Sequence, residues 1–268
     1  MTDKIKVKTI SKATEVPRAP IDGKPTLVYF DIVGLAHPLR MALALADIEW
    51  YDVRIVCGKS SSDSKTNKKE WFEAKERLQK EGVLDFPNLP YYLDDDVQLV
   101  QSDAILRYLG KKHNLMGNDG TVPEYLIDML MEEARDLDST IIRLSYEEGA
   151  SAVGRFLNSE ELREKMVVWD GFLRKSSGMY VTGSNLTVVD LKLYTFLYKF
   201  QQAQASLMVS AAAMNGGDEE EGEVPPLPFW VPAYLEQVEK ATPQLESYLK
   251  GPDMQIPTNN PHARFDNL

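Results

Sequence analysis

The chain has 268 residues, 43% of them apolar, which is enough for two compact domains with cores of their own. A formal charge of -11, with no clustering of Lys and Arg on any helix face, excludes a phosphate-gripping surface for nucleic acid. One cysteine, Cys57, excludes an internal disulfide and a multi-cysteine zinc site, and no apolar run reaches the roughly 18 residues of a membrane span. The N-terminus lacks the apolar stretch of a secretory signal, so a cytoplasmic location is expected.

Residues 1–24 are lysine-rich and apolar-poor and close on Pro17, Pro20 and Gly23, which predicts a flexible extension. From Thr26 the pattern changes. Leu27-Val28-Tyr29-Phe30 has the character of a short buried strand. Pro38 to Asp47 follows as a helix with Leu39, Ala42, Leu43 and Ala46 on one face, and Asp52 to Val56 as a second strand. That β-α-β order implies a parallel pair. A polar segment from Gly58 to Lys69 leads into a helix-prone stretch near Trp71 to Gln79. Pro90–Leu93 and Val97–Val100 then flank the acidic turn Asp94-Asp95-Asp96, a hairpin signal, and a helix from Ser102 to His113 closes the unit. The whole is the thioredoxin-like order.

Two segments of this unit suit a small peptide-like anion. Pro90 cannot donate to a sheet ladder, so it belongs at an edge or turn, with the Leu89 backbone left exposed for a ligand. Ser102 reads as a helix N-cap, and the first turn after it offers N–H groups and a positive dipole end to a carboxylate.

After Val122 the chain is helical in character. Pro123 suits a first turn, and Leu126, Met129, Leu130, Ala134, Leu137, Ile141 and Leu144 keep helical spacing to about Tyr146. Further helices are expected at Ser159–Ser176, Val188 to about Met208, and Val231–Leu249. Thr187-Val188-Val189-Asp190 reads as a capping box. The expected organisation is therefore an extension (1–24), a thioredoxin-like α/β domain (25–112), a linker (113–120) and an all-helical domain (121–268) with a loop near 211–228.

The run Tyr29-Phe30-Asp31-Ile32-Val33-Gly34-Leu35-Ala36-His37 resembles the N-terminal signature of the glutathione transferases, the mu class above all. Trp71 with Lys75, Leu84 to Tyr91, Gln101-Ser102 with Ala104-Ile105, and Lys112-His113-Asn114-Leu115 follow in family order. The resemblance is dense from about 26 to 146 and thin after about 208. It implies a two-domain homodimer that adds the glutathione thiolate to hydrophobic electrophiles in detoxification. Glutathione would be a cosubstrate, with no metal and no covalent cofactor.

A free thiol with a pKa of about 8.5 is mostly protonated at neutral pH, and a hydroxyl that donates to the sulfur favours the thiolate. By resemblance Tyr29 is that donor, in the setting of Phe30 and the Gly34-Leu35 loop; position alone would make it a buried strand aromatic. The resemblance further implies that the Leu89 backbone beside Pro90 pairs with the cysteinyl unit. Gln101 and Ser102 would then hold the γ-glutamyl end, Trp71, Lys75 and Asn88 would lie near the glycyl carboxylate, and Lys68 would stand where the class has an arginine contact to glutathione. Asp136 falls where a partner-subunit aspartate meets the glutamyl ammonium, though it sits among Glu132, Glu133 and Asp138 as on an ordinary acidic face. Tyr146 falls where the mu class places a second tyrosine beside the electrophile. Phe86 matches an aromatic key at the dimer interface, with a buried phenylalanine as the competing reading.

Three departures stand out. Phe30 replaces the family's tryptophan, Val33 an arginine, and Lys68 an arginine whose bidentate fork a lysine does not reproduce. His37, His113 and His262 are too scattered for a metal cluster, and Cys57 has no basic support for redox chemistry. A glutathione-dependent isomerase of the prostaglandin synthase type and a non-catalytic ligand-binding relative remain as alternatives.

Overall fold

The computed structural model describes residues 4–56, 68–117, 122–176, 179–213, 226–259 and 263. Cys57, residues 118–120 of the expected linker and residues 214–225 of the expected 211–228 loop lie outside them. The chain divides into two compact units, one of residues 1–115 with 242–262, the other of 116–241 with 263–268.

The first unit is built on a five-stranded sheet of order β1-β3-β2-β4-β5. Strand β2 (Thr26–Phe30) is buried along its whole length and lies parallel to β3 (Trp50–Ile55), as expected for strands covered on both faces. Helix α1 (His37–Leu45) connects them; it packs on α3 (Ser102–Lys112) and on α9 (Pro243–Lys250). Helix α2 (Lys69–Lys80) precedes a short antiparallel hairpin, β4 (Tyr91–Leu93) and β5 (Gln98–Val100). β4 also pairs with β2, so it is an interior strand, and Pro90 stands one residue ahead of it with a cis Leu89-Pro90 bond. This position answers the requirement that Pro90 donate nothing to the ladder, without an edge.

The N-terminal segment departs from the flexible extension expected. Ile5–Ile10 forms β1, parallel to β3 along six residue pairs. Lysines dominate its composition, yet Ile5, Val7 and Thr9 alternate with Lys6 and Lys8, the period of a strand. Charged side chains on an edge strand also discourage pairing with another chain. The following residues are tied down as well, for the Tyr91 hydroxyl donates to Pro17 O at 2.7 Å.

The second unit is helical: α4 (Glu124–Glu147), α5 (Ala150–Leu157), α6 (Glu160–Lys175), α7 (Val188–Ala213) and α8 (Val231–Glu239). The short α5 was not foreseen; Gly149, at φ 90°, ends α4 and lets the chain restart. The single helix expected over 231–249 is two. Thr242 caps α9 through its Oγ1, which accepts the Leu245 N–H, and Pro243 occupies the first turn, so one helix cannot run through. Asp190 anchors the start of α7 from a fully buried position. Its carboxylate accepts the N–H groups of Val181 and Thr187 and the hydroxyls of Thr187 and Tyr234. The box is thus half-formed in the usual sense, because the threonine hydroxyl donates to the carboxylate instead of accepting from the helix. No helix among the described residues is long and apolar enough to cross a membrane.

Candidate active site

The first unit brings most of the residues singled out by the sequence onto the C-terminal end of β2 and the segments ahead of β4 and α3. Tyr29 is the penultimate residue of β2 and is 7% exposed. The loop after β2 folds back over its ring. Gly34 has φ 43°, and a Cβ placed there would lie 2.6 Å from Tyr29 Cε1 and 2.7 Å from its hydroxyl oxygen. Glycine is therefore required twice over, by backbone conformation and by contact. The next residue, Leu35, donates its N–H to the Tyr29 hydroxyl oxygen at 3.2 Å. A phenol that accepts a hydrogen bond is polarised into a better donor through its own O–H.

Phe30 is buried next to Tyr29, their ring centroids 5.7 Å apart. Lys68, at the N-cap of α2, places its ammonium 5.6 Å from the centre of the Phe30 ring, so two of the three departures from the family pattern touch one another. Trp71 is buried and stacks on Tyr91 with centroids 6.2 Å apart. Lys75, one turn further along α2, is half-buried and forms no ion pair among the described residues.

Leu89 is buried where an exposed backbone was expected, and its N–H already donates to Asn88 Oδ1 at 2.9 Å. A ligand backbone that takes the Leu89 N–H has to displace the exposed Asn88 amide. Ser102 is likewise not the N-cap. It is the first helical residue of α3, and Gln101 occupies the cap at φ 72°, ψ 111° without a side-chain capping bond. The first N–H groups of α3 therefore lack a capping side chain, which suits the capture of a carboxylate. A non-glycine residue held in this region of backbone space is strained, and such residues collect at functional sites.

Nothing in the local sequence pattern foretells what holds this arrangement. Arg40, fully buried on α1, donates Nε to both oxygens of Asp52, at 3.1 and 3.0 Å, and Nη1 to Ile32 O at 2.6 Å. Its Nη2 reaches Phe30 O at 3.4 Å. Arg54 shares the Asp52 carboxylate at 2.8 Å through Nε and donates to Asp253 O. An arginine in the first turns of a helix reads as a surface charge, and only its position against Asp52 shows otherwise.

Of the remaining residues, Asp136 and Tyr146 belong to the second unit and Phe86 to the first. Asp136 and Tyr146 lie on α4. Asp136 is exposed and paired with Arg135 at 3.3 Å, whereas Tyr146 is half-buried in the last turn. Asp138, counted with an acidic face, is instead buried and bound to Lys199 Nζ at 2.6 Å. Phe86, in the segment before β4, is 77% exposed in the single chain, so it is no part of that chain's core.

A β-α-β unit followed by an antiparallel hairpin and a closing helix, on one five-stranded sheet, defines a thioredoxin-like domain. Residues 25–111 match the family model for the glutathione S-transferase N-terminal domain and residues 135–214 that for the C-terminal domain. A glutathione S-transferase of Tyrophagus putrescentiae is 36% identical over 67% of this chain and 76% of its own length. Glutathione S-transferase Mu 3 of Homo sapiens is 35% identical over 66% and 73%. The crystal structure of the glutathione S-transferase Blo t 8 shares the fold, with a TM-score of 0.69 over 90% of this chain and 99% of that one, at 24% identity. The chain belongs to the glutathione S-transferase family, with a thioredoxin-like N-terminal and a helical C-terminal domain, and glutathione conjugation is its activity.

Proposed function

We propose that Tyr29 activates the thiol of glutathione and that the tripeptide lies against the Leu89-Pro90 segment and the start of α3. The carrying observation is the position of the Tyr29 hydroxyl under Gly34 and Leu35, accepting an N–H and so primed to donate to sulfur. The uncapped first turn of α3, with Gln101 and Ser102, receives the γ-glutamyl carboxylate. Lys75 supplies charge to the glycyl carboxylate, beside Lys68, Trp71 and Asn88, and Leu35 and Phe30 border the thiol. Asp136, Tyr146 and Phe86 keep the roles the mu-class resemblance assigns them: a partner's contact to the glutamyl ammonium, a donor to the electrophile and a dimer key. The second substrate is a hydrophobic electrophile, the assembly a homodimer, and the setting detoxification in the cytoplasm.

The test compares wild type with Tyr29→Phe in conjugation of glutathione to a chloronitrobenzene across neutral pH. The expected result is a loss of about 100-fold in kcat/KM at pH 6.5 with glutathione still bound, narrowing as pH rises and the thiol ionises unaided. Equal activity of the two proteins at every pH would remove Tyr29 from the chemistry.

A further inference from the structure

The loop that covers Tyr29 is itself held by the far end of the chain. Three successive backbone N–H groups leave it. Val33 N–H donates to Pro257 O at 2.8 Å, Gly34 N–H to Thr258 O at 3.2 Å, and Leu35 N–H to the Tyr29 hydroxyl. The first two bonds join positions more than 220 residues apart in sequence, yet all of them lie within the first unit. Thr258 and Asn259 are each 3% exposed, so the segment is packed and not laid on the surface. Its approach is fixed just upstream, where Arg54 donates to Asp253 O at 2.8 Å. On the other side of the loop Arg40 takes the carbonyls of Ile32 and Phe30. The loop is thus gripped by carbonyl acceptors on its N–H side and by a guanidinium on its carbonyl side, which leaves the third N–H aimed at the phenol.

We infer that the C-terminal segment Pro257–Thr258 is a positioning strap for the Tyr29 hydroxyl. It touches no substrate in this reading; it acts by holding Val33 and Gly34 so that the Leu35 N–H meets the phenol oxygen. When the strap is removed, the loop gains freedom, the Leu35 bond is populated less, and the phenol becomes a poorer donor to sulfur. The bound thiol then ionises at higher pH. This inference rests on Tyr29 as the thiolate stabiliser, and the experiment separates the two.

Two truncations carry the test, one ending at Asn259, which keeps both acceptor carbonyls, and one ending at Ile256, which removes them. Each is assayed for the pH dependence of kcat/KM with a chloronitrobenzene, for ultraviolet absorbance of the bound thiolate, and for thermal melting, beside wild type and Tyr29→Phe. The chain ending at Asn259 should keep the wild-type pH midpoint. The chain ending at Ile256 should lose about three- to tenfold in activity at pH 6.5 and recover toward wild type in alkali, with thiolate absorbance moving to higher pH in step. In the full-length chain, Val33→Pro removes one of the two bonds at a residue whose φ of -59° suits proline, and should shift the midpoint the same way by less. That variant decides the matter if the shorter truncation does not fold. A lower melting temperature with an unchanged midpoint in these variants would overturn the strap. A midpoint that does not move in Tyr29→Phe would overturn the thiolate assignment beneath it.

Discussion

Each unit buries an ionic group, and the two groups do different work. In the helical unit Asp138 and Lys199 join α4 to α7 at 2.6 Å, and among the described residues that pair is made between those two helices alone. Burial pulls the Lys199 ammonium below its ordinary pKa, with Asp138 working in the opposite direction. In the first unit Asp52 lies between two guanidiniums, and one of them, Arg40, also holds the carbonyls of the loop over Tyr29. The first arrangement fixes how two helices meet. The second transmits the position of α1 and β3 to the Tyr29 end of β2. A buried charge is weak evidence of stability, but its additional partners reveal whether it also serves a site.

Removing one partner should be costly in both places, by about 3–5 kcal/mol for Asp52→Ala or Asp138→Ala, read from denaturant midpoints. Apolar replacement of both partners separates them. Asp138→Leu with Lys199→Met should return to within about 1 kcal/mol of wild type and leave glutathione affinity unchanged, since every buried polar atom of the pair has gone. Arg40→Met with Asp52→Leu should recover little, because Arg54 loses its buried carboxylate and the Ile32 and Phe30 carbonyls lose the guanidinium, and kcat/KM should fall as well. Equal rescue of the two doubles would erase the distinction.

The same contrast explains what the sequence made legible. Strand β2, helix α1, the β4–β5 hairpin and α4 are local patterns, and their periodicities predict them to within a few residues. Tyr29 and Gly34 are close in sequence, so their contact was accessible from the loop between them. β1 was obscured because its lysines outweighed its alternation, and α5 because eight residues starting at Ala150 carry too little pattern. Arg40 with Asp52, Asp138 with Lys199, and the strap at Pro257–Thr258 depend on partners 12, 61 and more than 220 residues away. Those pairings are set by how the elements pack, which no local window contains. Backbone acceptors such as Thr258 O carry no residue signature at all.

Acid should distinguish the units by a smaller amount. Asp94 closes the β4–β5 turn, where burial alone would raise its pKa. Hydrogen bonds from Lys112, Tyr108 and the N–H groups of Asp96 and Val97 prevail and hold it down to about 2. A carboxyl whose folded pKa lies below the unfolded value of about 3.9 contributes stability above that value and loses it as pH falls toward 2. Asp190 in the helical unit is the reverse. Burial pushes its carboxyl up despite four hydrogen bonds, so the folded state takes a proton first and gains relative stability on acidification. Asp94→Asn should therefore flatten the acid limb of the stability curve between about pH 4 and 2 by about 1–2 kcal/mol. Asp190→Asn should steepen the decline at mildly acidic pH. Parallel acid limbs for the two variants would show that these carboxyls do not differ in the way their surroundings dictate.

The smallest effect concerns backbone strain. Among the described residues, every non-glycine with positive φ lies in the first unit: Asp22, Asp47, Gln101 and Asn114. Asp and Asn tolerate this region through their short polar side chains, so three of the four are unremarkable turn residues. Gln101 has no such excuse, and its ψ of 111° sets it apart from the ordinary left-handed helical well. It stands at the start of α3, whose first N–H groups receive the γ-glutamyl carboxylate in the proposed binding mode. Glycine would adopt this backbone without a Cβ penalty, at the cost of a looser unfolded chain, so Gln101→Gly should gain about 0.5–1 kcal/mol in stability. Glutathione should bind about fivefold more weakly, as the amide is lost from the γ-glutamyl end while the N–H groups remain. A gain in stability together with a loss of affinity identifies strain kept for binding. A loss of both would mean that the Gln101 side chain supports the fold, and the strain would then have no functional claim.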